Sequence, residues 1–153
     1  MQFMKSNNKP DPSQAYSDRS LPIACVRGRQ AVVVHFSKFL ADAKMSEQQW
    51  RVMRIVQDFG PTPQSTLCER SCIHKVSMTR IIRTLLARGF VISRRNPQDG
   101  RALNISMTDE GHQFLREVGQ EADQISEKIA TGFGDEKTQL LLDLLDELSR
   151  LEI

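Results

Sequence analysis

The sequence predicts a mainly α-helical chain with one small β-wing, a winged helix-turn-helix framed by a helical dimerisation region from both chain ends. Three observations carry that prediction. Between Arg70 and Arg101 stand eight Lys or Arg against one acid, a local charge of +7 in a chain whose total is only +2. Beneath that charge the apolar pattern runs helix, turn, helix, hairpin. Outside it lie long stretches of helical period, and the last of them, Thr108 to Ile153, holds twelve acids and four bases, a net of −8. A basic segment set in an acidic frame is the electrostatic footprint of a polyanion-binding surface. Taken alone, a charge run is also what an ordinary solvated helix face carries.

The elements follow in chain order. Residues 1–20 are polar, with two prolines and mixed charge, and read as a flexible arm with no signal-peptide core. Pro22 suits the first turn of a helix predicted to run to about Ala43, with Ile23, Val26, Val33, Val34, Phe36, Phe39 and Leu40 as its apolar members. Ser46 with Gln49 three residues on forms a capping box. The helix it opens is predicted to end at Phe59, before Gly60-Pro61, and to bury Trp50, Val52, Met53, Val56 and Phe59. Thr62, Pro63 and Gln64 lead into a short helix to about Ser71.

Lys75 to Arg88 then has helical period, with Val76, Ile81, Ile82, Leu85 and Leu86 assigned to its apolar side and His74 as a weak N-cap. Gly89 stands where a glycine stops a helix. Phe90–Arg95 reads as a strand, Asn96–Gly100 as a turn, and Arg101–Met107 as a return strand with Leu103 and Ile105 on one face. Thr108 caps a long helix to about Thr131, Gly132-Phe133-Gly134 breaks it, and Asp135 opens a last helix to about Leu151.

A helix about 10–12 Å across fits the DNA major groove and meets base edges with its N-terminal residues. Lys75, Ser77, Thr79, Arg80 and Arg83 are the candidates on that helix. Arg bonds guanine bidentately, and Ser or Thr bonds bases or phosphate. On the hairpin, Arg94, Arg95 and Arg101 suit phosphate or an adjacent minor groove. Asp99, which would repel phosphate if unpaired, is expected to orient Arg101 or Arg95; it is otherwise a turn former, like Gly100.

The leucines Leu140, Leu141, Leu144, Leu145, Leu148 and Leu151 form a stripe at helical spacing. Such a stripe is often plain core. Its density at the chain end points to burial against a second copy. Two recognition helices related by a two-fold would read half-sites about one DNA turn apart, so the operator is expected to be a pseudo-palindrome.

Asp99-Gly100-Arg101, a strand and Thr108-Asp109-Glu110-Gly111 resemble the wing and wing-to-helix junction of the MarR family of bacterial transcriptional regulators. Ser77–Ile82 is similar to that family's recognition helix, Arg88–Val91 to its helix-to-wing turn, and Met45–Arg54 to its second helix. The likeness is nearest to the branch that regulates homoprotocatechuate-type aromatic-acid catabolism, and it covers residues 21–153 as one domain. The resemblance implies dimerisation through residues 21–45 and 109–153 around a winged helix-turn-helix at 46–108. It also implies a homodimeric repressor released from double-stranded DNA by a small aromatic or phenolic effector, bound between the dimer helices and the winged domain. Such an effector needs a cation and an apolar wall; Arg27, Arg29, His35, Trp50 and Arg54 are the candidates, with core or surface roles as the alternative.

Other classes draw less support. Some relatives sense peroxide through a first-helix cysteine, and Cys25 lies near that place. The accompanying tyrosines have no counterparts, Phe36 and Glu47 standing there instead, and no base flanks Cys25. A protein-interaction module using the leucine-rich helices is a further alternative. Three cysteines and three histidines do not sit in zinc spacing, so no metal or cofactor is expected. No phosphate loop, H-x-x-E pair or nucleophile elbow supports an enzyme. No apolar run approaches the ~20 residues of a membrane span, and the cytoplasm is the expected compartment.

Overall fold

A computed structural model describes residues 19–152; the arm expected at residues 1–20 lies almost wholly outside them. The elements run α1 (Leu21–Val33), a 3-10 turn (Val34–Phe36), α2 (Ser37–Asp42), α3 (Glu47–Phe59), β1 (Thr62–Pro63), α4 (Gln64–Ser71), α5 (Lys75–Ala87), β2 (Val91–Arg95), β3 (Leu103–Met107), α6 (Asp109–Phe133) and α7 (Asp135–Ser149). The chain divides into two compact units, one ending at His35 and the other starting at Phe36.

In the first unit α1 has Pro22 in its first turn, as expected, and buries none of its residues. The single helix expected as far as Ala43 is instead interrupted by the 3-10 turn. Val32, Val33 and Val34 form an unbroken β-branched run across the end of α1 and the first residue of that turn, and such side chains lose χ1 freedom against the preceding turn of an α-helix.

The second unit is built around the helix-turn-helix. Ser46 caps α3 through a complete capping box: its Oγ accepts from Gln49 N (3.1 Å) and Gln49 Oε1 accepts from Ser46 N (3.0 Å). Val52, Met53 and Val56 of α3 pack with Leu67 of α4, Met78, Ile81, Ile82 and Leu85 of α5, and Val91 and Ile105 of the sheet. Arg51 holds α3 to the end of α4, donating to Ser71 O while its other nitrogens meet Glu47. Phe59, expected in the core, is 55% exposed at the end of α3, where the Arg70 guanidinium lies 3.7 Å from its ring centre.

The hairpin is one part of a three-stranded antiparallel sheet, ordered β1-β3-β2. Val91 faces Met107 and Ser93 faces Ile105 across β2 and β3, while Thr62 pairs with Ile105 from the other side. The sequence reading missed β1, a two-residue strand ending in proline. Proline lacks the N–H that a ladder needs, and an edge position tolerates that. The third strand roots the wing in the core through Thr62 and Ile105, both buried.

α5 ends as the sequence predicts. Gly89 has φ +74°, and Phe90 N donates back to Leu85 O (3.1 Å), satisfying a carbonyl at the helix end. Thr108 then does two jobs at once: its hydroxyl donates to Gly89 O (2.6 Å) and accepts from Gly111 N (3.0 Å), capping α6. A Cβ on Gly111 would stand 2.2 Å from Phe90 O, so only glycine lets α6 approach the turn this closely. α6 runs through Gly132 to Phe133, two residues past the expected end, and Gly134 with φ +106° is what breaks it.

Candidate nucleic-acid interface

The nine residues expected to meet DNA are all exposed: Lys75, Ser77, Thr79, Arg80 and Arg83 on α5, and Arg94, Arg95, Asp99 and Arg101 on the wing. Met78, Ile81, Ile82 and Leu85 form the buried stripe of α5. Helical spacing of about 100° per residue therefore turns Arg80 and Arg83 outward. Val76, assigned to the apolar side from sequence, is a correction. It is 78% exposed, and Met78, two residues on, takes the buried position at 0%. Two residues are ~200° apart on a helix, so the two side chains cannot share a face. Leu86 is likewise exposed, at 39%.

Several of these side chains already have partners. Thr79 Oγ1 donates to Lys75 O (3.0 Å) and accepts from Gln64 Nε2 (2.8 Å), which ties the first residue of α4 to the middle of α5. Sequence reasoning did not single out Gln64, because a pair fifteen residues apart has no signal in local pattern. His74 occupies the N-cap position in extended conformation and makes no side-chain cap bond.

At the wing tip Asp99 organises backbone. Its Oδ1 accepts from Arg101 N (3.0 Å), and its carbonyl accepts from Ala102 N (3.0 Å). Asn96 reinforces the turn, its Oδ1 accepting from Gln98 N (2.8 Å) and its N–H donating to Ala102 O (2.9 Å). The expected pairing of Asp99 with the guanidinium of Arg101 or Arg95 is not found among the described residues; the carboxylate places Arg101 through its amide instead. That is the side-chain turn bond that Asp forms two residues ahead.

Not every base in the +7 segment faces outward. Arg88 donates to Lys44 O (2.7 Å) and Ala43 O (3.4 Å), and its guanidinium lies 4.6 Å from the Phe90 ring centre and 5.6 Å from that of Phe114. Arg70 is stacked on Phe59. Between α4, the start of α5 and the wing runs an open groove of about 570 Å³, lined by Gln64, Cys68, Lys75, Arg101 and Leu103 among others. Leu103, on the same strand face as Ile105, is 53% exposed there, beyond the reach of the core.

The effector candidates divide between the two units. Arg27, Arg29 and His35 belong to the first and are exposed. Trp50 and Arg54 belong to the second. Trp50 packs edge-on against Phe39 with ring centres 5.0 Å apart, and Arg54 lies 5.8 Å from the indole centre. A Cβ on Gly119 of α6 would come 3.9 Å from Arg54 Nη1, so the guanidinium sits beside that buried glycine. Cys25 is an exposed free thiol on α1. Among the described residues no helix is long and apolar enough to cross a membrane.

A MarR family model matches residues 45–103, the span from the approach to α3 to the start of β3. The transcriptional regulator FarR of Neisseria gonorrhoeae is 32% identical over 133 residues, covering 87% of this chain and 91% of that protein. The homoprotocatechuate degradative operon repressor of Escherichia coli is 31% identical over 132 residues, covering 86% of this chain and 89% of the relative. Among solved structures, NadR in complex with 4-hydroxyphenylacetate superposes with a TM-score of 0.81 at 32% identity, covering 93% of this chain and all of that one, 100%. With this likeness along nearly its whole length, and with the helix-turn-helix and wing in place, the chain belongs to the MarR family of transcriptional regulators.

Proposed function

We propose that this regulator is a cytoplasmic homodimeric repressor that binds a pseudo-palindromic operator and is released by a small aromatic acid. One observation carries the DNA reading: α5 turns Lys75, Arg80 and Arg83 to solvent beside a wing whose Arg94, Arg95 and Arg101 are also exposed. α5 enters the major groove, Arg80 meets a base, and Arg101 reaches backbone or minor groove from the tip. Ser77 and Thr79 lie on the same N-terminal half of α5, Thr79 already oriented by Gln64.

The dimer reading rests on apolar surface. Leu140, Leu141, Leu144, Leu145 and Leu148 of α7 are 37–59% exposed, and α7 buries no residue within one chain. α1 likewise exposes Leu21, Val26 and Val32. Apolar stripes of this size in a regulator fit a second copy better than water.

The effector reading draws on Trp50 and Arg54, an aromatic wall with a cation beside it, and on NadR, whose structure holds 4-hydroxyphenylacetate. Arg27, Arg29 and His35 stand with them as candidates. The exposed Cys25 thiol offers a redox alternative. The deciding experiment is fluorescence anisotropy on the duplex upstream of the gene and on a scrambled control, at two salt concentrations. Preference for the native duplex by about a thousandfold with steep salt dependence is expected. Equal binding to both duplexes would overturn operator recognition there. Added 4-hydroxyphenylacetate is expected to release the complex. Release by peroxide that Cys25→Ser abolishes would transfer the signal to the thiol.

A further inference from the structure

We infer that Val76 reads a thymine methyl group in the major groove, making it a sequence-determining residue of α5; the inference rests on the DNA-binding reading above. Exposed apolar side chains scattered singly are ordinary on protein surfaces and need no explanation. Val76 is distinguished by where it stands. It is the second residue of α5, in the turn that meets base edges in this docking geometry. At 78% it is more exposed than any other large hydrophobic side chain among the described residues.

The buried stripe fixes its direction. Met78, Ile81, Ile82 and Leu85 mark the side of α5 that faces the core. Stepping about 100° per residue, the opposite side is centred on Val76, with Arg83 and Arg80 close on either flank. The most outward point of a basic face is therefore apolar. A cation there would serve phosphate. A valine serves neither phosphate nor a hydrogen-bonding base edge.

The major groove presents one apolar group, the C5 methyl of thymine, and small apolar side chains contact it. Around Val76 the polar choices are already narrowed, because the Thr79 hydroxyl is engaged by Lys75 O and Gln64 Nε2. Arg80, one helical turn on, is the natural partner for guanine. The rise from Val76 to Arg80 is ~6 Å, so the thymine lies within about two base pairs of that guanine.

The test starts from the operator that the purified full chain selects out of a random duplex library. Each thymine in a half-site is replaced singly by deoxyuridine, which removes the methyl and keeps the pairing. Affinity is then measured by anisotropy for the wild type and for Val76→Ala. One thymine per half-site is expected where deoxyuridine weakens the wild type about fourfold, the scale of one buried methyl. At that position the exchange is expected to matter measurably less to Val76→Ala, whose side chain stops at Cβ and reaches less far into the groove. Deoxyuridine effects equal in the two proteins at every position, or absent at all, would overturn the role of Val76 while leaving operator recognition standing. Failure of the wild type to select any sequence would overturn both. Val76 is exposed, so the variant is expected to melt with the wild type, and a thermal scan checks that.

Discussion

Arg88 and Arg101 belong to one basic segment, yet their guanidinium groups face opposite worlds. Arg88 is bonded to two backbone carbonyls of the α2–α3 connection and lies against Phe90 and Phe114, which stack on each other at 4.5 Å. Arg88→Ala removes those bonds, so it is expected to destabilise the fold by about 1–3 kcal/mol. Thermal unfolding reads that loss, and the salt dependence of DNA binding is expected to stay as it was. Arg101→Ala should behave the other way round. Its melting temperature is unchanged, and the slope of log affinity against log salt flattens by about 0.9 if one phosphate contact is lost. Arg80→Ala belongs with neither. It is expected to relax base preference at one position by about 1–3 kcal/mol, which a set of single-base operator variants would reveal.

Between elements, the junctions decide more than the helices themselves. Thr108, Gly89 and Gly111 lock the end of α5, the start of α6 and the wing into one corner. Gly111→Ala drives a methyl into Phe90 O and Met107 Sδ, and overpacking of this kind costs about 1–3 kcal/mol, occasionally more. A lowered urea midpoint with an unchanged slope would check it. α7 is the converse case, an amphipathic helix whose leucine stripe stays exposed among the described residues. Leu141→Glu together with Leu145→Glu is expected to give monomers in sedimentation equilibrium and to abolish high-affinity operator binding. A dimer that survives both charges would place the interface elsewhere.

For the whole molecule, charge is separated along the chain: the strongly positive α5-and-wing segment precedes a C-terminal segment of net −8. Such a division orients an encounter with a polyanion before any contact is made. It also makes affinity a function of salt. An operator whose half-sites are about one helical turn apart is expected to bind one dimer, and inserting half a turn between them should abolish tight binding while each half-site stays intact. Footprinting of the two duplexes would settle the spacing.

What the amino-acid sequence determined was whatever is local or periodic. The capping box at Ser46 and Gln49, the limits of α4, the glycine stop at Gly89, the turn at Asn96–Gly100 and the cap at Thr108 all depend on residues within a few positions of one another. The likeness that gave the family was carried by the order of such motifs. Helical period by itself places Met78 with Ile81, Ile82 and Leu85, and Val76 on the opposite side of α5; tertiary structure decided that Arg70 would stack on Phe59. It also decided that Thr62 and Pro63 would join a sheet, that Arg88 would turn inward, and that Gln64 would hold Thr79. Each of these joins residues far apart in the chain. Their free energy comes from burial and hydrogen bonding across that distance, which no local pattern records.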